Sequence, residues 1–200
     1  MRTLLLLASI LALASTALSQ TPQTPQPPSR TPQTPSQIQT DLRQALLGDW
    51  TGVLEYRDYS EPPTSTKRVQ LPTWLSISSG GASLAEHFIY DDGPSKTVDS
   101  TTLLSLDTAA ATYTEISAGK PAQVYKVVGY DALKSGKGEL VLTGPGTEND
   151  KPTETRITLT IHRNLLSWTD ETRPTGSTEP FAFRHRYTFT RSQSPATTKH

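Results

Sequence analysis

Gly48-Asp49-Trp50-Thr51-Gly52-Val53-Leu54-Glu55-Tyr56-Arg57 is the stretch on which the fold turns. Trp50, Gly52, Leu54 and Tyr56 alternate with Thr51, Val53, Glu55 and Arg57, the two-residue period of a half-buried strand. Immediately upstream the period is helical. Leu42, Ala45 and Leu46 share one face of a helix expected over Ile38 to Leu47, with Ser36 and Gln39 spaced as a capping box and Gly48 as the stop. The change of period at Gly48 marks where a short helix gives way to a sheet.

Downstream the two-residue period recurs. It predicts strands over Thr66–Ser78, Ser83–Tyr90, Thr97–Leu106, Ala111–Ser117, Ala122–Tyr130, Gly138–Thr143, Thr155–His162, Leu165–Asp170 and Phe181–Arg191, ten in all with the first. Turn chemistry separates them: Ser79-Gly80-Gly81, Asp91-Asp92-Gly93-Pro94, Ala118-Gly119-Lys120-Pro121, Lys134 to Lys137, and a long loop over Gly144 to Pro152. Parallel neighbours would need crossovers of roughly a dozen residues or more, for which there is no room, so the strands form an antiparallel meander. Closure removes the edges that invite aggregation, and the helix can plug one end. The expected fold is therefore all-β: a single antiparallel up-and-down barrel of about ten strands with a short N-terminal helix, its core face exemplified by Ile157, Leu159 and Ile161 and its wet face by Thr158 and Thr160. Pro72 cannot donate a ladder hydrogen bond and is expected at a bulge or an edge.

Outside this domain, read as residues 38–191, the chain changes character. Residues 1–19 combine Met1-Arg2-Thr3, an apolar run from Leu4 to Ala14 and the small pair Ala17 and Ser19, the pattern of a signal peptide cut before Gln20. The run is about eleven residues, against the roughly 20 a membrane-spanning helix needs, so no stable span is expected. Residues 20–37 repeat Thr-Pro-Gln and read as a disordered, extended linker; residues 192–200 read as a disordered tail. The reading is an exported protein, periplasmic or extracellular. It has no cysteine and hence no disulfide staple, so packing alone must hold it. With 19 basic and 19 acidic side chains in the whole sequence there is no basic stripe for nucleic acid, and a monomer is expected.

Gly48-Asp49-Trp50, opening the first strand after a short helix, resembles the Gly-x-Trp signature of lipocalins and their calycin relatives. That resemblance implies a basic residue near the end of the barrel packed across the tryptophan, and Arg191 is the matching position, so Trp50 and Arg191 would close the base by stacking guanidinium on indole. The ten-strand count is similar to that of fatty-acid-binding proteins and nitrobindins. Nitrobindins open with Gly-x-Trp-x-Gly-x-Gly, whereas this chain places Leu54 at the third glycine. The nitrobindin resemblance implies haem, with His185 as axial ligand and a redox or isomerase activity; the residues read on their own call for no cofactor.

The inward alternation nominates Leu54, Tyr56, Glu86, Phe88, Leu159, Trp168, Phe183, His185 and Tyr187 as the lining of a cavity for a small apolar or amphipathic molecule. Glu86 could anchor a polar head group, and Asp170 could orient His185; Arg184 and Arg186 are expected to point outward. A buried histidine bonded to a tyrosine or carboxylate is the other reading of His185. Catalytic signatures are lacking: there is no Gly-x-Ser-x-Gly elbow, Ser117-Ala118-Gly119-Lys120 falls in a turn, and His87, His162, His185 and His200 lack zinc spacing. A non-enzymatic ligand carrier is the leading expectation, with the haem barrel and a solid-barrel protein-interaction module as alternatives.

Overall fold

A computed structural model describes residues 34–62, 65–93, 95–128 and 137–192. The signal-peptide reading, the tail beyond Ser192 and the linker reading up to residue 33 lie outside the described residues.

Helix α1 spans Pro35–Leu46, three residues earlier than the spacing predicts. Its cap is Thr34, whose hydroxyl accepts from the Gln37 amide at 3.3 Å, with Pro35 in the first turn, where a missing N–H costs nothing. The Ser36–Gln39 box therefore does not form. Gln39 instead donates to the Leu106 carbonyl at 3.1 Å. Residues 35–37, read as linker, belong to the helix.

Among the described residues ten strands follow: β1 Gly48–Arg57, β2 Arg68–Gly80, β3 Ser83–Asp91, β4 Thr97–Asp107, β5 Thr112–Ser117, β6 Gln123–Val128, β7 Lys137–Glu148, β8 Lys151–His162, β9 Leu165–Pro174 and β10 Ala182–Arg191. Each pairs antiparallel with its sequence neighbours, and β1 pairs with β10, so the sheet closes into an up-and-down barrel. Among the described residues no helix is long and apolar enough to cross a membrane.

One local expectation changes and another, the edge position of Pro72, is met. The Gly144–Pro152 loop does not exist: β7 and β8 run on to Glu148 and Lys151, joined only by Asn149 and Asp150, both with positive φ (50° and 59°). Two left-handed residues match the twist of a tight hairpin, and Asn and Asp tolerate that conformation better than most. Pro72 sits within β2 opposite Val53, just beyond the Thr73–Tyr90 pair that ends the β2–β3 ladder; this local edge suits a residue without an N–H. The irregularity lies elsewhere, in β10 between Phe183 and His185.

The end of the barrel nearest α1 is solid. Ile38, Leu42 and Leu46 are buried in the same core as Leu84, Leu104, Leu140, Leu142 and Ile161, and Arg43 ties the helix to the β2–β3 turn through the carbonyls of Ala82 (2.8 Å) and Gly81 (2.9 Å). Trp50, 1% exposed, donates from its indole to the Leu46 carbonyl at 2.9 Å. Arg191 lies across that indole, its Cζ 4.1 Å from the ring centroid, and donates to the carbonyls of Leu47 and of Ala45 (2.6 Å). The guanidinium thus satisfies carbonyls that the helix leaves unpaired at its C-terminus.

Two glycines make this closure possible. Gly48 has φ +123°, and a side chain there would meet Arg191 Nη1 at 2.7 Å. Gly52 faces inward between Trp50 and Leu54, where a Cβ would collide with the Thr188 carbonyl oxygen and come within 2.8 Å of Phe189 Cα.

Candidate functional site

Above the base the barrel interior is filled by aromatic rings. Phe88 meets Trp168 edge-on at 5.9 Å and Tyr187 at 5.1 Å, and Tyr187 stacks on Phe189 at 5.8 Å. Leu159 is 3% exposed and packs in the core beside Leu140 and Trp168. Leu159, Trp168 and Phe88, expected as cavity lining, are therefore the plug beneath the cavity. A closed wall whose inward positions carry large side chains leaves open space only where the strands end.

That space is a cup of about 340 Å³ at the end opposite α1, lined by Leu54, Tyr56, Tyr59, Leu71, Tyr90, Asp92, Arg184, His185 and Tyr187. Of the expected lining, the structure brings together Leu54, Tyr56, His185 and Tyr187. Tyr59, Leu71, Tyr90, Asp92 and Arg184 complete the cup and are absent from the expected set. Leu71 and Tyr90 do follow the inward alternation of β2 and β3, a signal the sequence carried; Tyr59 lies beyond the end of β1, where alternation says nothing.

Arg184 enters the cup through the irregularity in β10. Ala182 pairs with Thr172 and Phe183 with Glu171, but His185 pairs with Asp170, so Arg184 is an extra residue with no partner across the ladder. A bulge of this kind leaves two consecutive side chains on one face and re-aims what precedes them. His185 keeps its inward place, Arg184 joins it, and Phe183 takes the register of Glu171. The inward placing of Phe183 is corrected accordingly: it does not line the cup, and its ring lies 4.7 Å from the Arg68 guanidinium carbon. The outward placing of Arg184 is corrected by the same residue count. Arg186 does point outward, to Glu55 Oε1 at 3.2 Å.

Carboxyl groups lie beneath and beside the cup. Asp170 Oδ2 is 3.7 Å from His185 Nε2 and 3.9 Å from Arg184 Nη1, while its Oδ1 is buried without a hydrogen-bond partner among the described residues. Burial pushes the Asp170 carboxyl up to about 6, with Arg184 pulling the other way. Burial holds the His185 imidazole down at about 4, assisted by Arg184, so the ring is neutral near pH 7. Glu115 is raised to about 7 by burial and then by Asp170. Glu86, 2% exposed, is raised well above the usual carboxyl range by burial and then by Glu115; its Oε1 also lacks a partner. It does not reach the cup, and so does not stand where a ligand head group would sit.

The one imidazole that lines the cup turns Nε2 toward Asp170 and meets Tyr187 edge-on at 5.5 Å, with Arg184 beside it. Leu54, standing where nitrobindins have their third glycine, lies opposite Tyr187 and lines the cup. Among the described residues no group of three or more His, Cys, Asp or Glu side chains could hold a metal ion.

No protein-family model and no curated protein sequence matches the chain. Among solved structures it is similar to the crystal structure of Rv2717c from M. tuberculosis, at 14% identity and a TM-score of 0.52, over 76% of this chain and 98% of that one. The two share the architecture of a closed barrel, and the likeness carries the fold alone.

Proposed function

We propose that the protein is an exported, lipocalin-like carrier that binds a small amphipathic molecule in the cup. The observation that carries this reading is the β10 bulge. It turns Arg184 and His185 into a space otherwise walled mainly by tyrosine and leucine side chains. Concave apolar walls with a few convergent polar groups are the usual form of a small-molecule site, and about 340 Å³ falls at the small end of the roughly 300–1,000 Å³ such sites span. The apolar body of a ligand would cover Leu54, Leu71 and the tyrosine rings, and its polar end would meet Arg184 and His185. Among the described residues the cup lining holds no serine, threonine, cysteine or lysine, and binding rather than turnover is the reading.

Native mass spectrometry of the protein purified from its own source tests this. A monomer carrying one small molecule, lost on Leu54→Trp filling of the cup, is the expected result. A bare monomer that also fails to take up any amphipathic probe would overturn it. That second outcome would favour the solid-barrel interaction module, which the ring-filled waist and the exposed Trp74, Leu103 and Ile116 on the outer wall support.

A further inference from the structure

Arg184 is held between two claims. Its Nη1 lies 3.9 Å from Asp170 Oδ2, within reach of an ion pair and too long for a hydrogen bond, and about a third of its side chain is exposed in the cup (34%). No other carboxylate among the described residues lies within ion-pair distance of it. Asp170 is in the opposite position. The charged and titratable groups that face it are Arg184, His185 and Tyr187 on β10, Glu171 beside it on β9, Glu148 on β7, Tyr125 on β6 and Glu115 on β5. His185 is neutral and the rest, apart from Arg184, are acids or phenols. One cation therefore keeps Asp170 ionised, and that cation also looks into the binding space.

We propose that the cup's ligand carries an anionic head group, which takes the guanidinium of Arg184 away from Asp170, and that Asp170 then takes up one proton from solvent, so that binding is proton-linked. This rests on the cup being the binding site. In balance, protein, anionic ligand and one proton give the protonated complex; no bond to carbon forms or breaks. An arginine fork suits carboxylate, sulfonate and phosphate alike, which is the chemical class assigned to the head group. Once Arg184 is engaged, Asp170 loses the one neighbour that favours its charge and gains a second anion nearby, and both changes favour its protonated form. Its buried Oδ1, unpartnered in the free protein, is placed to carry that proton. Glu115 feels the incoming anion in the same sense, so the Asp170 variant is needed to tell the two apart.

Two fluorescent probes that share a ring system provide the test: 8-anilinonaphthalene-1-sulfonate, which stays ionised across the range, and neutral N-phenyl-1-naphthylamine. Both are titrated into the full chain between about pH 5 and pH 8. The sulfonate probe is expected to bind progressively more weakly as pH rises above about 6, by up to roughly tenfold per pH unit for a single linked proton, while the neutral probe binds independently of pH. Calorimetry in two buffers of unlike ionisation enthalpy should show uptake of up to about one proton with the sulfonate probe and none with the neutral one. Asp170→Asn should abolish the pH slope and hold the tight affinity at high pH; Arg184→Gln should bring the sulfonate probe down to the neutral probe's affinity. Equal, pH-independent binding of both probes to the unaltered protein would overturn the proposal and leave the cup standing. Proton uptake that survives Asp170→Asn would overturn the role of Asp170. Failure of both probes to bind would remove the cup reading and this proposal with it.

Discussion

Arg191 and Trp50 are directly opposite each other in the β1–β10 ladder, and the guanidinium lies 4.1 Å from the indole centroid while bonding to the last carbonyls of α1. One side chain therefore joins the first strand, the last strand and the helix. Replacing it with Met keeps the apolar stem and leaves the Ala45 and Leu47 carbonyls without that donor. Arg191→Met is expected to destabilise the protein by about 2–3 kcal/mol, summing a partly desolvated cation–π contact and charged hydrogen bonds. Urea unfolding of the variant checks this, and a change below about 0.5 kcal/mol would show that the closure is ornamental.

Gly52 gives a harsher outcome. Its Cβ would overlap the Thr188 carbonyl oxygen and approach Phe189 Cα at 2.8 Å, both on the neighbouring strand, so no rotamer change relieves the clash. Gly52→Ala is expected to prise β1 from β10 and cost more than about 3 kcal/mol, at the severe end of single substitutions. Gly81→Ala serves as the comparison. Nothing lies within 4 Å of a Cβ there, so its cost is confined to the left-handed backbone, φ +74°, at about 1–2 kcal/mol. Thermal melts of the two variants should separate clearly, with Gly52→Ala the lower.

The buried carboxyls set the pH dependence of stability. Glu115 at about 7 and Asp170 at about 6 sit above their ordinary values, so the folded state binds more protons than the unfolded chain between roughly pH 4 and 7. Their contribution is full below the unfolded values and is lost as pH rises through 6 and 7. His185 works against this, because its lowered value makes the folded state bind fewer protons between about pH 4 and 6.5. Two raised carboxyls, with Glu86 raised in the same direction, outweigh one histidine. The melting temperature is therefore expected to be higher at about pH 5 than at about pH 8. Glu115→Gln should raise stability at pH 8, by up to the order of 3 kcal/mol, and shrink the difference between the two conditions. A melting temperature that climbs steadily from pH 5 to 8 would contradict the assignment.

How much of this was legible depends on what alternation encodes. A two-residue period names the inward set for as long as strands stay regular, and so it found the strands, their antiparallel order, the Trp50–Arg191 base and four of the cup's side chains. It cannot see one extra residue. At Phe183-Arg184-His185 three consecutive large side chains are compatible with either face, and the bulge that decides between them is set by pairing with Asp170 and Glu171, twelve or more residues away in sequence. The Gly144–Pro152 error has a different source: its Gly and Pro residues read as punctuation, whereas the turn itself is Asn149-Asp150. Depth was also hidden. Glu86, Phe88 and Trp168 face inward as expected, yet only the packing shows that they lie below the cup.

Haem offers a test of the residue that departs from the nitrobindin pattern. With Leu54 in the wall and His185 Nε2 turned to Asp170, added hemin is expected to keep the absorbance spectrum of the free compound. A shifted band near 400 nm that disappears in His185→Ala would restore the iron-ligand role for that residue. Leu54→Gly, which brings back the third glycine, is the variant in which such a band should arise first if crowding is the obstacle.

Deleting Arg184 isolates the bulge. Phe183 already pairs with Glu171 and His185 with Asp170, so removing the residue between them leaves one-to-one pairing with every other side chain on its present face. The lost contact is a single ion pair of 3.9 Å, and the barrel is expected to melt within a few degrees of the unaltered protein. The cup, however, loses its guanidinium. Affinity for 8-anilinonaphthalene-1-sulfonate should fall by about tenfold or more, the size of one charge-assisted contact, while N-phenyl-1-naphthylamine keeps its own. If the deletion instead collapses the fold, the extra residue is a structural requirement for closing β10 against β9; intact folding with unchanged sulfonate affinity would mean that Arg184 faces the cup without serving it.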